Sequence, residues 1–274
     1  MKLYKHTLLL FTLFIWSTSI LYAAPTKIML LGDSITYDSR YGDTRPTSTR
    51  EAYRSHLWYM LQDAKYNADF VGSQKAGSTI TPPFDIDNEG HPGWSSYQIA
   101  ERVYGYMLNS QPDIVLLHIG TNDHSTSTRG VESILNEIDQ YERDTNHKVT
   151  VLVALIIDRE VHDPIIAAFN KKLSSLISFR RQTGDIVTLV DMYNKSALAP
   201  ADYADNTHPN STGYKKMANV WLDALLSPYK PFNTALGAFS YTLVGSEDII
   251  SIDINEAENT VEFETEIPND GIRF

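Results

Sequence analysis

The sequence predicts an α/β protein: a three-layer α/β/α sandwich on a five-stranded parallel sheet, followed by a short C-terminal β segment. Three observations carry that expectation. Short apolar runs alternate with helix-like segments along most of the chain. Several of those runs are almost continuously apolar, as strands covered on both faces are. The chain has 274 residues, 42% of them apolar, and no low-complexity tract, enough for one substantial domain with a full core.

The elements follow in order. "KIMLLG" (Lys27–Gly32) has the pattern of a short buried strand. "EAYRSHLWYMLQDA" (Glu51–Ala64) spaces Tyr53, Leu57, Met60 and Leu61 as a helix does. "ADFVGS" (Ala68–Ser73) is the second strand, Ser96–Leu108 the second helix, and "DIVLLHIG" (Asp113–Gly120) the third strand. A helix over Val131–Arg143 leads to the fourth strand, Lys148–Ile157. Pro164–Gly184 carries proline near its start and glycine just past its end, the usual helix punctuation. Asp185–Asp191 is the fifth strand and Ser211–Leu226 the last helix. Such alternation means a parallel sheet with helices on both faces. Ligands then sit beyond the carboxyl ends of the strands.

Both ends of the chain differ from this body. Residues 1–23 begin with Lys2 and Lys5, run apolar from Leu8 and end in small residues. This is the layout of a secretory signal peptide, with cleavage expected after Ala23. The run is short for a bilayer span and is broken by Ser17, Thr18 and Ser19, so no stable membrane insertion is expected after cleavage, and the product is secreted or periplasmic. The α/β body is expected over 24–229. Residues 230–274 read as an acidic β extension or the start of a further module. "IISIDI" and "TVEFETE" alternate there, and "EAEN" can turn between them.

Of the formal charge of −11, Ser246–Phe274 carries −8. A chain this acidic is not expected to bind nucleic acid, whose phosphates demand a basic face. Without cysteine, thiol nucleophiles, disulfides and Cys-based metal sites are excluded. No H-E-x-x-H and no calcium-loop spacing occurs, so neither metal nor cofactor is expected.

Four motifs sit where strands end. "GDSIT" (Gly32–Thr36) places Asp33 and Ser34 at the rim. Serine alone is a weak nucleophile that needs a base, and Gly-Asp-Ser is also ordinary turn chemistry. "GTND" (Gly120–Asp123) offers the Asn122 amide as a donor to a developing oxyanion, or another turn. "EGHPGW" (Glu89–Trp94) holds Gly90 and Gly93, either of which permits an exposed backbone N–H. His91 there is explained by the tight loop alone. "DNTHP" brings Asp205 within one turn of His208, and Pro209 keeps His208 out of the helix. Asp205 orienting the imidazole, and His208 taking a proton from Ser34, would complete a hydrolytic triad. The G-x-S-x-G elbow is absent. Tyr37, Tyr41, Trp94 and Tyr97 lie close to the motifs and suit either sugar stacking or the core. Asp33, Tyr37, Trp94 and Tyr97 are the candidate substrate contacts.

Over Lys27–Leu226 the chain resembles the SGNH/GDSL hydrolase superfamily. "GDSIT" matches its first block, the glycine of "HPGW" its second, "GTND" its third and "DNTHP" its fifth. The resemblance implies a Ser34 nucleophile and a triad completed by Asp205 and His208. It implies an oxyanion hole from the N–H groups of Ser34 and Gly93 and the Asn122 side chain. Within the superfamily, "NEGHPGW" and Tyr53–Arg54 look most like carbohydrate esterase family 3, which implies acetyl removal from xylan-like sugars. A small acyl ester or an acetylated polysaccharide is the expected substrate. The alternatives are a lipolytic esterase or thioesterase of the same superfamily and, from another class, a non-catalytic carbohydrate-binding or adhesion module.

Overall fold

The computed structural model describes residues 24–227, 249–255 and 260–265. The chain runs β1 (Thr26–Gly32), one-turn helix α1 (Ser34–Tyr37), α2 (Arg54–Asp63), β2 (Ala68–Val71), β3 (Gln74–Lys75) and β4 (Asp87–Gly90). It continues through α3 (Ser96–Ser110), β5 (Ile114–His118), α4 (Arg129–Thr145), β6 (Thr150–Ala154), α5 (Pro164–Gln182), β7 (Val187–Val190), α6 (Met192–Lys195) and α7 (Ser211–Leu226). Two further strands, β8 (Ile249–Asn255) and β9 (Thr260–Thr265), pair antiparallel. The expected signal peptide and the "EAEN" turn lie outside the described residues.

The α/β expectation holds, with one correction. The sheet has seven strands rather than five, in the order β3-β4-β1-β5-β6-β7, with β2 also paired to β1. The missing two are β3 and β4, which pair antiparallel with each other. They have two and four residues, and β4 reads "DNEG", so no apolar pattern marks them. β2 lies along the first half of β1 (Thr26–Met29), and β4 along its last residues, Leu31 and Gly32. The opposite edge of β1 carries β5 in parallel register, with Gly32 beside His118.

Side-chain alternation along β1 makes the layers. Ile28 and Leu30 join Leu57, Leu61, Met217 and Trp221 under α2 and α7. Met29 and Leu31 join Val103, Ile134, Leu135 and Phe169 under α3, α4 and α5. Strands buried on both faces can be apolar throughout, which is why their runs stood out in the sequence. Local chemistry sets the helix starts. Ser95 and Gln98 form a reciprocal cap on α3, Asp163 caps α5 ahead of Pro164, and Asn210 caps α7.

Candidate active site

Ser34 stands where β1 ends and α1 begins, 7% exposed. Its Oγ lies 2.9 Å from Nε2 of His208, although 174 residues separate them. Nδ1 of His208 lies 3.0 Å from each carboxylate oxygen of Asp205. The three groups form one hydrogen-bonded line. Because the carboxylate accepts from Nδ1–H, Nε2 is left free to accept from the serine hydroxyl.

The loop bearing His208 is fixed by its own backbone. Asp205 Oδ1 accepts the N–H groups of Thr207 and His208, both at 2.8 Å, an Asx-type turn. Asn210 N donates to Asp202 O, and Ala204 N to His208 O. Burial alone raises the Asp205 carboxyl, but those backbone N–H groups and the imidazole outweigh it and hold it below the ordinary value. A second loop braces the first. Arg159 donates from Nη1 to Thr207 Oγ1 and from Nη2 to Thr121 O at 3.3 Å, and Glu160 N donates to Asn206 O. Nothing local in the sequence announces this bracing: Arg159 has a near partner in Asp163, four residues on, but Thr121 and Thr207 lie 38 and 48 residues away.

The candidate donors for a negative oxygen come from three loops. Ser34 N, at the first position of α1, makes no hydrogen bond among the described residues. His91–Trp94 forms a type II turn, with Trp94 N donating to His91 O, Pro92 second and Gly93 third at φ +81. Among the described residues the Gly93 N–H has no partner, and a side chain there would meet nothing within 4 Å. Gly90, the alternative donor, is spent elsewhere. Its N–H donates to Asn88 Oδ1 at 3.0 Å, and a Cβ there would sit 2.8 Å from the Tyr37 backbone nitrogen. Asn122 donates one Nδ2–H to Trp94 O at 2.9 Å. That bond ties the amide to the Gly93 turn and leaves its second N–H to spare.

A match to the model of the GDSL-like lipase/acylhydrolase family covers residues 30–216. The chain belongs to that family. It is 31% identical to a multidomain esterase of Ruminococcus flavefaciens, over 74% of this chain and 29% of that protein, so it spans under a third of that relative's length. Among solved structures it is similar to an acetyl esterase mutant crystallised with acetate ion (TM-score 0.62, 28% identity, 73% of this chain and 96% of that one). A carbohydrate esterase family 3 protein of Talaromyces cellulolyticus gives the same four figures.

The aromatic candidates of this GDSL-family chain divide. Tyr41 is fully exposed and Tyr97 is 48% exposed at the start of α3. Trp94 is engaged inside the protein. The His91 ring stacks on it at 4.3 Å, and the Arg102 guanidinium lies over it at 5.2 Å. Tyr37 carries Arg50 over its ring at 5.9 Å.

Asp33 is fully buried and caps α1 through Oδ1, which accepts Ile35 N at 2.9 Å, while Oδ2 has no partner. That geometry points it into the protein rather than toward a ligand. Burial, with a smaller contribution from nearby Asp123, raises its pKa from 3.8 to about 7. Between these values the native state keeps a proton that the unfolded state has lost, so Asp33 makes stability fall as pH rises from about 4 to 7. Asp33→Asn removes that dependence. Its melting temperature should match wild type near pH 4 and exceed it near pH 8, and a gap that fails to widen on thermal melts at the two pH values contradicts this.

Proposed function

We propose that this chain is an exported serine esterase that removes small acyl groups, acetyl above all, from carbohydrate. The hydrogen-bonded line from Ser34 through His208 to Asp205 is the observation that carries the reading. In it, Ser34 Oγ attacks the ester carbonyl while His208 Nε2 takes its proton. The tetrahedral oxyanion sits against the N–H groups of Ser34 and Gly93 and the free N–H of Asn122, each such donor worth about 2.7–4 kcal/mol. His208 then protonates the leaving alcohol, and water releases the acyl group by the reverse proton path. Asp205, held ionised, fixes the imidazole tautomer and stabilises its charged form.

The acetyl and carbohydrate parts rest on the similarity to an acetyl esterase and to a family 3 carbohydrate esterase. Exposed Tyr41 and Tyr97 suit a sugar-facing rim. Export rests on the basic start and apolar run of residues 1–23.

Parallel assays of acetate release from acetylated xylan and of acetyl against octanoyl nitrophenyl esters test the reading. Acetate release, with at least a tenfold kcat/KM preference for acetyl, is expected. A preference for octanoyl, or turnover of phospholipid alone, replaces it with lipolysis.

A further inference from the structure

The turn that carries Gly93 is clamped by groups that take no part in the proton path. Arg102 and Tyr106 stand one turn apart on the same face of α3. The Trp94 and His91 rings fill the space between them. Arg102 lies over Trp94 at 5.2 Å, Trp94 stacks on His91 at 4.3 Å and 20°, and His91 stacks on Tyr106 at 5.1 Å and 12°. His91 sits at the centre of this column and is 8% exposed.

Its polar edge is fixed too. His91 Nε2 lies 2.6 Å from Oε1 of Glu89, a fully buried carboxylate. Glu89 also accepts Ser73 N and Ser73 Oγ, both at 2.7 Å. The His91 backbone N donates to Gly32 O at 2.9 Å, so the turn starts from the last residue of β1, two before the serine. It ends at Trp94 O, which accepts the Asn122 amide.

We infer that His91 is a positioning residue for the oxyanion hole: anchored on Glu89 and stacked between Trp94 and Tyr106, it sets where the Gly93 N–H and, through Trp94 O, the Asn122 amide point. The inference rests on the Ser34 mechanism proposed above. Donors of this kind act only when aimed at the position the oxyanion takes, and a displacement of about 1 Å is worth on the order of a hundredfold. A ring locked on both faces and at its edge removes that freedom. A merely structural histidine predicts lost stability. A positioning one predicts lost turnover in a folded protein.

His91→Phe keeps a flat ring in the column and removes the bond to Glu89. With acetyl nitrophenyl ester its kcat is expected to fall about tenfold, with KM within about twofold. Tyr106→Leu removes the outer layer of the stack from a position on α3 and is expected to lower kcat in the same pattern, by less. The deciding measurement is a double-mutant cycle of each variant with Asn122→Ala. If His91 acts through the hole, the double variant loses less than the product of the two single losses. Multiplying losses, or a kcat within twofold of wild type in both folded variants, overturns the inference while leaving the esterase reading intact. A wild-type chain that hydrolyses no ester and takes no fluorophosphonate label overturns both.

Discussion

Replacing Ser34 by alanine is expected to lower kcat on the order of a millionfold and to abolish fluorophosphonate labelling. The size follows from how triads work. Removing one member disables the unit, and what survives comes from substrate binding and the oxyanion donors. Here Ser34 Oγ meets His208 Nε2 at 2.9 Å, and His208 is already committed to Asp205 on its other nitrogen. Among the described residues no other hydroxyl is hydrogen-bonded to that imidazole. The substitution removes one polar atom at the cleft, so the melting temperature should stay within a few degrees of wild type. Mass spectrometry of the labelled wild type should place the adduct on Ser34. An adduct on a different serine, or an alanine variant that keeps substantial turnover, moves the nucleophile elsewhere.

The largest expected loss of stability lies at Arg54. Its guanidinium is fully buried and, among the described residues, has no carboxylate partner. It donates instead to five backbone carbonyls: Thr36, Ala76, Ile86, Tyr37 and Arg50. Phe84 covers it at 5.7 Å. Burial lowers its pKa to about 10, so it stays charged at neutral pH. Arg54→Ala leaves several buried acceptors unpaired, each costing about 1–3 kcal/mol before water recovers part of the loss. A net destabilisation of about 3–5 kcal/mol is expected, or a fall in melting temperature of roughly 10 °C. Two of the five carbonyls belong to Thr36 and Tyr37 of α1, so turnover should fall as well. Arg54→Lys should rescue little, because three donors on a flexible stem do not reproduce a planar fork. An alanine variant as stable as wild type would show that those carbonyls are satisfied by other means.

Much of this was legible in the sequence, for reasons that can be named. Strands covered on both faces keep apolar runs, so β1, β5 and β6 declared themselves. α5 and α7 did the same through Pro164, Pro209 and their periodicity. The hydrogen-bonded line of the candidate site was legible where short-range chemistry places its members: Ser34 at the end of a strand, Asp205 and His208 within one turn. What stayed hidden depends on distant contacts. β4 has no apolar pattern, since Asn88 and Glu89 are buried by polar partners rather than by apolar packing. Arg54 and Arg159 matter through carbonyls and hydroxyls tens of residues away. His91 looked like a bystander because its role is visible only once α3 has folded back over the turn. Trp94 suggested a sugar platform by its place in the sequence, while its ring is occupied from within.

The proximity of Ser34 and His208 has a consequence for how the molecule matures. The imidazole arrives immediately ahead of α7, whose Met217 and Trp221 seat against the first strand's layer of the core. Closing so long a loop carries an entropic cost that the docked helix and the Arg159 brace together offset. A nascent polypeptide ending short of that helix, however complete its sheet, has the hydroxyl in place but no helix to seat the imidazole beside it. On the mechanism proposed here, hydrolytic power switches on only once α7 has docked, and turnover reports the integrity of the α/β body rather than of any one segment.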